Sequence, residues 1–273
     1  MWLIRNYHDL AFQRRRESRD LYSETLRVLS VYEQDRAQAA YLLIINGLVW
    51  DAEIVIRTLY EAFAKAALLS TAPTERRDDL LNEFWEMLPA IYDRQGALKA
   101  KTAESLAKHH GNREDARVFK FLRNPERFKV DPVADKRTRN EIERRWSFSG
   151  ILEVLKRGSL GHERLNWIEA LAHMYGVSSH LVHADPKAFD LMEDRSLRGD
   201  DLLPLEVSHI CRMLSDIVYL TSFTLYLNER SWGGVEGMPE PLKQALDGLT
   251  KVTAAHREQF AQSQDEFYAN ANE

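Results

Sequence analysis

A chain of 273 residues with 44% hydrophobic and 29% charged side chains has the make-up of a globular protein able to bury a sizeable core. Its formal charge of −5 gives no reason to read the whole molecule as a nucleic-acid binder, although residues 117–145 hold ten Lys/Arg against five Asp/Glu and leave the remainder at −10. A single cysteine, Cys211, excludes an internal disulfide and any multi-cysteine zinc site, which fits the cytoplasm.

The opening, MWLIRNYHDLAF, has no long apolar run and no cleavage-like ending, so no signal peptide is expected. From Asn6 to Val31 the pattern predicts an N-terminal helix with Leu10, Leu21, Leu26 and Leu29 as core positions. The run Arg14-Arg15-Arg16 among Glu17, Asp20 and Glu24 reads as a solvated face. Asp35–Leu43 reads as a second piece, and Asn46-Gly47 bends the chain into its centrepiece, Leu48–Leu69. That stretch has no Gly or Pro and is apolar nearly all round, the signature of a helix buried among other helices. Glu53, Arg57 and Glu61 stack on it at i, i+4, i+8, a charged ladder that is either a structural lock or a site.

After Pro73, Thr74 is placed to cap a helix from Arg76 to about Tyr92. From Gly96 to Arg145 breaks at Gly111, Asn124-Pro125 and Asp131-Pro132 predict a loosely structured basic insertion, 96–147. Its Phe119, Phe121, Phe128 and Trp146 alternate with cations, so Arg123, Arg127, Lys129, Lys136, Arg137, Arg139 and Arg144 are the candidate RNA-backbone contacts. The bland alternative is a surface insertion with its own apolar cluster. Order returns at Ser149–Lys156 and at Glu163–His183, where Trp167, Leu171, Met174, Ser178, Leu181 and Val182 make a core stripe. Glu169, His173 and His180 share the opposite face, and Tyr175, Ser179 and His183 form a flank between. Asp185-Pro186 stops that helix and starts the next. A long helix follows from about Asp201 to Asn228, and its longest uncharged stretch, Ile217–Leu227, is shorter than the ~20 residues a membrane span needs. Gly233, Gly234 and Gly237 break it before a polar last helix, Pro239–Phe267. No strand-period segment or internal repeat occurs. The expected fold is an all-α multi-helix bundle: an N-terminal helix over 1–34, a bundle core over 35–230 and a C-terminal helix over 231–273.

The sequence Ser178-Ser179-His180-Leu181-Val182-His183 before Asp185-Pro186 resembles the end of the catalytic helix in the HEPN superfamily, helical bundles that often act as ribonucleases. His183 matches that family's His and Ser179 its small polar residue, while Ser178 stands where the family carries Arg. Arg57-x3-Glu61 on an early helix with a late Tyr175-x3-Ser179-x3-His183 is similar to a bacterial helical family of unknown function, spanning roughly residues 35–195, whose members are suspected of roles in defence or toxin systems. That resemblance implies Arg57, Glu61, Tyr175, Ser179 and His183 as a shared set.

Chemistry joins the two likenesses. Metal-independent RNA cleavage needs a base for the ribose 2′-hydroxyl, a task for an imidazole, and a cation for the phosphorane oxygens, a task for a guanidinium. If Arg57 projects toward His183, this chain is a metal-independent endoribonuclease with Tyr175, Ser179 and Glu61 as orienting groups, and a homodimer would bring two sites together. No cofactor and no metal are expected: no His-Glu-x-x-His, Gly-rich phosphate loop or Gly-x-Ser-x-Gly elbow occurs. Two other readings stand beside this one. Glu53, Arg57 and Glu61 could form a purely structural network, with Tyr175 and His183 bonded into it, in a binding or scaffold protein; or the Arg57 region could serve as a small-molecule or nucleotide sensor.

Overall fold

The computed structural model describes residues 20–123, 135–233 and 238–271, with isolated positions 5–7, 9 and 13 near the start. Among these residues every regular element is helical, so the protein is an all-α, multi-helix bundle. The Leu10 and Arg14–Arg16 readings, and candidate contacts Arg127 and Lys129, lie outside the described residues. The chain divides into two compact units, residues 1–72 with 151–273, and residues 73–150.

The first unit is built round α2, Val49–Ser70. Before it runs α1, Leu21–Ile45, one continuous helix where two pieces were expected. Asp20 caps it, its side chain accepting the Ser23 N–H at 2.8 Å. The polar run 33–36 does not break it, because polar side chains lower helix propensity only slightly; the chain turns at Gly47, whose φ of +76° is open to glycine. Along α2 the residues Ala52, Ala62, Ala64, Ala66 and Ala67 are buried together with Ile56, Leu59, Tyr60 and Phe63. Small side chains on several faces let α1, α8 (Ala170–His183) and α10 (Leu202–Ser231) all pack against the same helix.

α8 is shorter than its pattern suggested. Residues 163–165 are instead irregular and 166–169 form i→i+3 turns, with Ile168 N bonded to Leu165 O at 3.2 Å and Ala170 N to Trp167 O at 3.0 Å. Tertiary bonds hold this approach, among them Leu165 N to Leu155 O at 2.9 Å, and bury Leu165 and Ile168. Within α8 itself Leu171 and Ser178 are buried, but Val182, expected in the core, is exposed. Asp185 caps α9, Pro186–Leu197, with Pro186 in its first turn. By length and composition α10 could cross a bilayer; half of its most apolar window is buried within the fold, against α1, α2 and α11 (Glu240–Ala271).

The second unit opens with α3, Thr74–Asn82, passes through a π-helical turn at Glu83–Met87 and continues as α4, Leu88–His109. Two further helices follow, α5 (Arg113–Leu122) and α6 (Lys136–Trp146). The stretch expected to be loosely structured therefore carries three helices. Asn112 and Asp135 supply N-caps that accept from Asp115 N at 3.1 Å and Thr138 N at 2.8 Å. Glu83 at the π turn receives Trp146 Nε1 at 2.8 Å and an ion pair from Arg145, while the Phe84 ring packs 5.2 Å from that of Trp146. The next helix, α7 (Phe148–Arg157), starts so close to the end of α6 that a Cβ on Gly150 would sit 1.9 Å from the Arg144 carbonyl oxygen.

Between α1 and α10 the first unit buries Glu33, 1% exposed, whose carboxyl takes one hydrogen bond from Thr224 Oγ1 at 3.0 Å. Burial pushes its pKa well above the ordinary carboxylate range, and the Thr224 bond offsets this only in part. A raised folded-state pKa gives a contribution that is complete below the unfolded value and lost as pH rises through the folded one, at no more than about 1.4 kcal/mol per pH unit. Glu33→Gln, which keeps an acceptor for Thr224, is expected to raise the melting temperature by several degrees at pH 8 and by much less at pH 5. Equal shifts at both values in calorimetry would contradict a proton held by Glu33.

Candidate functional site

The ladder on α2 divides. A step of four residues turns a helix by about 40°, so Glu53 and Glu61 point about 80° apart. Glu53 turns toward α10, whereas Arg57 and Glu61 turn toward α8, and no Glu53–Arg57 ion pair forms. The continuous Glu-Arg-Glu network read from the spacing is replaced by an inner cluster and an outer one.

The inner cluster is centred on a carboxylate shut away from water. Glu53 is 0% exposed; its Oε1 accepts from Ser178 Oγ at 2.8 Å, and its Oε2 accepts from His209 Nε2 at 3.0 Å and pairs with Arg212. Arg212 Nη1 also donates to Asp216 Oδ2 at 2.7 Å, which accepts the Tyr60 hydroxyl at 2.6 Å. A second guanidinium, Arg195, lies 4.2 Å over the Trp50 ring and contacts His209 Nδ1. Arginine can only donate, so Nδ1 accepts and Nε2 carries the proton given to Glu53. Burial lowers the His209 pKa, helped by Arg212 and Arg195 and opposed by Glu53, so the ring is neutral. Burial alone would raise Glu53, but the bonds and charges of His209, Arg212 and Ser178 outweigh it and hold the carboxyl below its ordinary range. Two carboxylates and two guanidiniums balance.

The outer cluster is partly wet. Arg57, its side chain 17% exposed, donates from Nη2 to the Tyr175 hydroxyl at 3.0 Å and from Nη1 to Ser179 Oγ at 3.3 Å. Its Nε lies 3.5 Å from Glu61, which accepts the Tyr175 hydroxyl at 2.9 Å. A guanidinium has five N–H groups; one each faces Glu61, Ser179 and Tyr175, leaving two without a partner among the described residues. Burial, with the Glu61 carboxylate, raises the Tyr175 pKa against the pull of Arg57, so the phenol stays protonated.

Arg57, Glu61, Tyr175 and Ser179 thus come together as the family resemblance implied. His183 does not join them directly: it is exposed in the last turn of α8 and has no hydrogen bond or ion pair among the described residues. It is one turn, about 6 Å of helix rise, beyond Ser179 on the same flank. His180, expected on the wetter face, binds the Asp185 cap through Nδ1 at 2.5 Å. In the second unit Arg123 lies 3.4 Å from the carboxylate of Glu104, and Arg137 pairs with Glu141 at 2.9 Å. Lys136 and Arg144 are exposed on α6, Arg139 is half-buried there, and Lys136, Arg137 and Arg144 line a shallow depression with Asp135, Asn140 and Glu141.

The sequence reading missed Tyr60, Arg195, His209, Arg212 and Asp216. One signal existed: His209-x2-Arg212-x3-Asp216 puts three polar groups on one face of an otherwise apolar helix, facing a glutamate that burial obliges to find partners. The two clusters differ in what they contribute to stability. Glu53→Ala leaves two guanidiniums against the one carboxylate of Asp216 and is expected to cost about 3–5 kcal/mol, whereas Glu61→Ala removes a half-exposed pair and should cost under about 1 kcal/mol. Urea unfolding of both variants measures the difference; equal losses would refute the division.

A family of unknown function, DUF5677, matches residues 34–199, a span that holds Glu53 and the whole outer cluster but ends before His209, Arg212 and Asp216. No curated protein and no solved structure matches the chain. With well over half of its length inside the match, the chain belongs to the DUF5677 family of unknown function.

Proposed function

We propose that this protein acts on RNA through the outer cluster, as a metal-independent endoribonuclease. The observation that carries the reading is the pairing on one flank of α8: a guanidinium with two unpartnered N–H groups held at Tyr175 and Ser179, and one turn on an exposed imidazole with no partner among the described residues. A phosphodiester laid across Ser179 would meet both. His183 takes the proton of the ribose 2′-hydroxyl, the 2′-oxygen attacks the adjacent phosphorus, and the 5′-oxygen leaves with a proton from solvent, giving a 2′,3′-cyclic phosphate. Arg57 offsets the charge that builds on the phosphorane oxygens, and Tyr175 and Glu61 fix its plane. The likeness of the α8 terminus to HEPN ribonucleases supports the same chemistry, with Arg57 supplying from α2 the cation whose place in α8 is taken by Ser178.

The scaffold reading rests on the ion pair of Arg57 with Glu61 at 3.5 Å, which already offsets its charge. One assay separates them. With excess EDTA, the wild-type protein is expected to cut a quenched fluorescent single-stranded RNA, and a 2′-deoxy substitution at the cleaved linkage blocks it. His183→Ala should lower cutting at least about 100-fold and Arg57→Ala by about 100- to 1000-fold, with melting temperatures unchanged for His183→Ala. RNA left intact by the wild-type protein, or cutting untouched by His183→Ala, refutes the ribonuclease.

A further inference from the structure

Helices α4 and α5 form a hairpin whose open side is a cleft of about 610 Å³, lined by Lys108, Arg113, Arg117 and Lys120 against a single carboxylate, Glu104. Its charges are arranged in register. On α5 the cations Arg113, Arg117 and Lys120 recur at i, i+4, i+7, one face of the helix, and on α4 Glu104 and Lys108 are one turn apart. Glu104 is only 3% exposed; it draws Lys108 Nζ to 2.6 Å and Arg123 Nε to 3.4 Å. Lys108, with Arg123 and Lys120 behind it, holds that carboxyl below its ordinary pKa, so the floor carries one negative charge already matched by two cations. The exposed guanidiniums of Arg113 and Arg117 and the ammonium of Lys120 have no hydrogen bond or ion pair among the described residues, Lys120 acting on Glu104 only at longer range. Glu114 and Asp115 stand on the same helix outside the cleft lining, Asp115 bonded to the Asn112 cap at 2.7 Å.

Next to this row stands Phe121, one turn on from Arg117, with 79% of its surface in solvent, and Val118 with 56%. An exposed phenyl ring beside a file of unpaired cations is the pairing that single-stranded nucleic acids select: phosphates follow the cations and a base stacks on the ring. A bilayer would meet only the rim of a concave cleft, whereas an extended strand can lie in it. We propose that the α4–α5 cleft binds single-stranded RNA, with Lys108, Arg113, Arg117 and Lys120 on its phosphates and Phe121 under a base. The surface is separate from the α6 cations first expected to serve, and it rests on the ribonuclease reading only for the choice of RNA as the polyanion.

The test is fluorescence anisotropy of a labelled uridine oligonucleotide of about 12 nucleotides with the full chain, from about 50 to 200 mM salt. Arg113→Glu/Arg117→Glu/Lys120→Glu should weaken binding at least about 100-fold at low salt and reduce the salt slope by about 2 units, and Phe121→Ala should weaken it roughly tenfold. A control triple reversal at the exposed Lys187, Lys243 and Lys251 carries the same net charge and should bind as the wild type does. Independently of any variant, the oligonucleotide should slow acetylation of Lys108 and Lys120, read by mass spectrometry. Wild-type protein that binds the oligonucleotide but leaves it uncut sinks the ribonuclease and leaves the cleft standing. Equal losses in both triple variants, unprotected lysines, or uptake on phosphatidylserine vesicles without oligonucleotide binding would overturn the proposal.

Discussion

The Glu53 carboxylate, shut away from water on the central helix, is the constraint that the rest of the first unit obeys. An ion of that kind is tolerated in a core only when its oxygens are matched, and here the matching groups come from two other helices. Ser178 of α8 takes one oxygen, and His209 and Arg212 of α10 take the other. Arg195 of α9 is drawn in behind His209, and Tyr60 and Asp216 close the cluster on the far side of Arg212. Apolar packing would let these helices slide or rotate by small amounts; a buried carboxylate with directional partners does not.

Fixing that register has a consequence one turn along. Once Ser178 is bonded to Glu53, its neighbour Ser179 is presented to Arg57, and Tyr175, one turn back, reaches both Arg57 and Glu61. The outer cluster is therefore held in place by the inner one, although its own bonds are half in water and individually weak. Stability and chemistry are thereby kept on different residues of the same two helices. The sealed Glu53 carboxylate defines geometry, and the outer groups remain able to exchange a protein partner for a ligand.

The second unit solves a different problem. Apart from α4 its helices are short, all are heavily charged, and its small core is drawn from Leu80, Leu81, Leu88, Ile91, Ile142 and Trp146. Glu83 ties the π turn to the end of α6 through Arg145 and Trp146, a bond set that a regular helix, with its side chains at a different angle, would not aim in the same way. That anchoring leaves the cations of α5 clear of the core. They line a cleft instead.

The all-helical fold, the central helix, the Asp185-Pro186 boundary and the association of Arg57 with Glu61, Tyr175 and Ser179 were all legible in the chain. The first three follow from local rules: propensity, 3.6-residue periodicity, and the capping chemistry of Asp before Pro; the association of the four side chains was implied by the family resemblance, since periodicity cannot say that α2 meets α8. Where the reading failed, the deciding forces acted between segments remote in sequence. The residues around Glu33 read as a gap between two helical pieces, yet α1 runs through them with Glu33 held by Thr224 of α10; residues 96–145 read as loose, yet they carry the end of α4 and the helices α5 and α6, which Asn112 and Asp135 cap. The resemblance groups His183 with Arg57, and the packing puts it one turn past Ser179, with no direct bond to the cluster among the described residues. Glu53 was seen to need a partner, but periodicity gives a face without naming what lies opposite. That Arg212 and His209 answer it, more than 150 residues away, was decided by the crossing of α10 over α2.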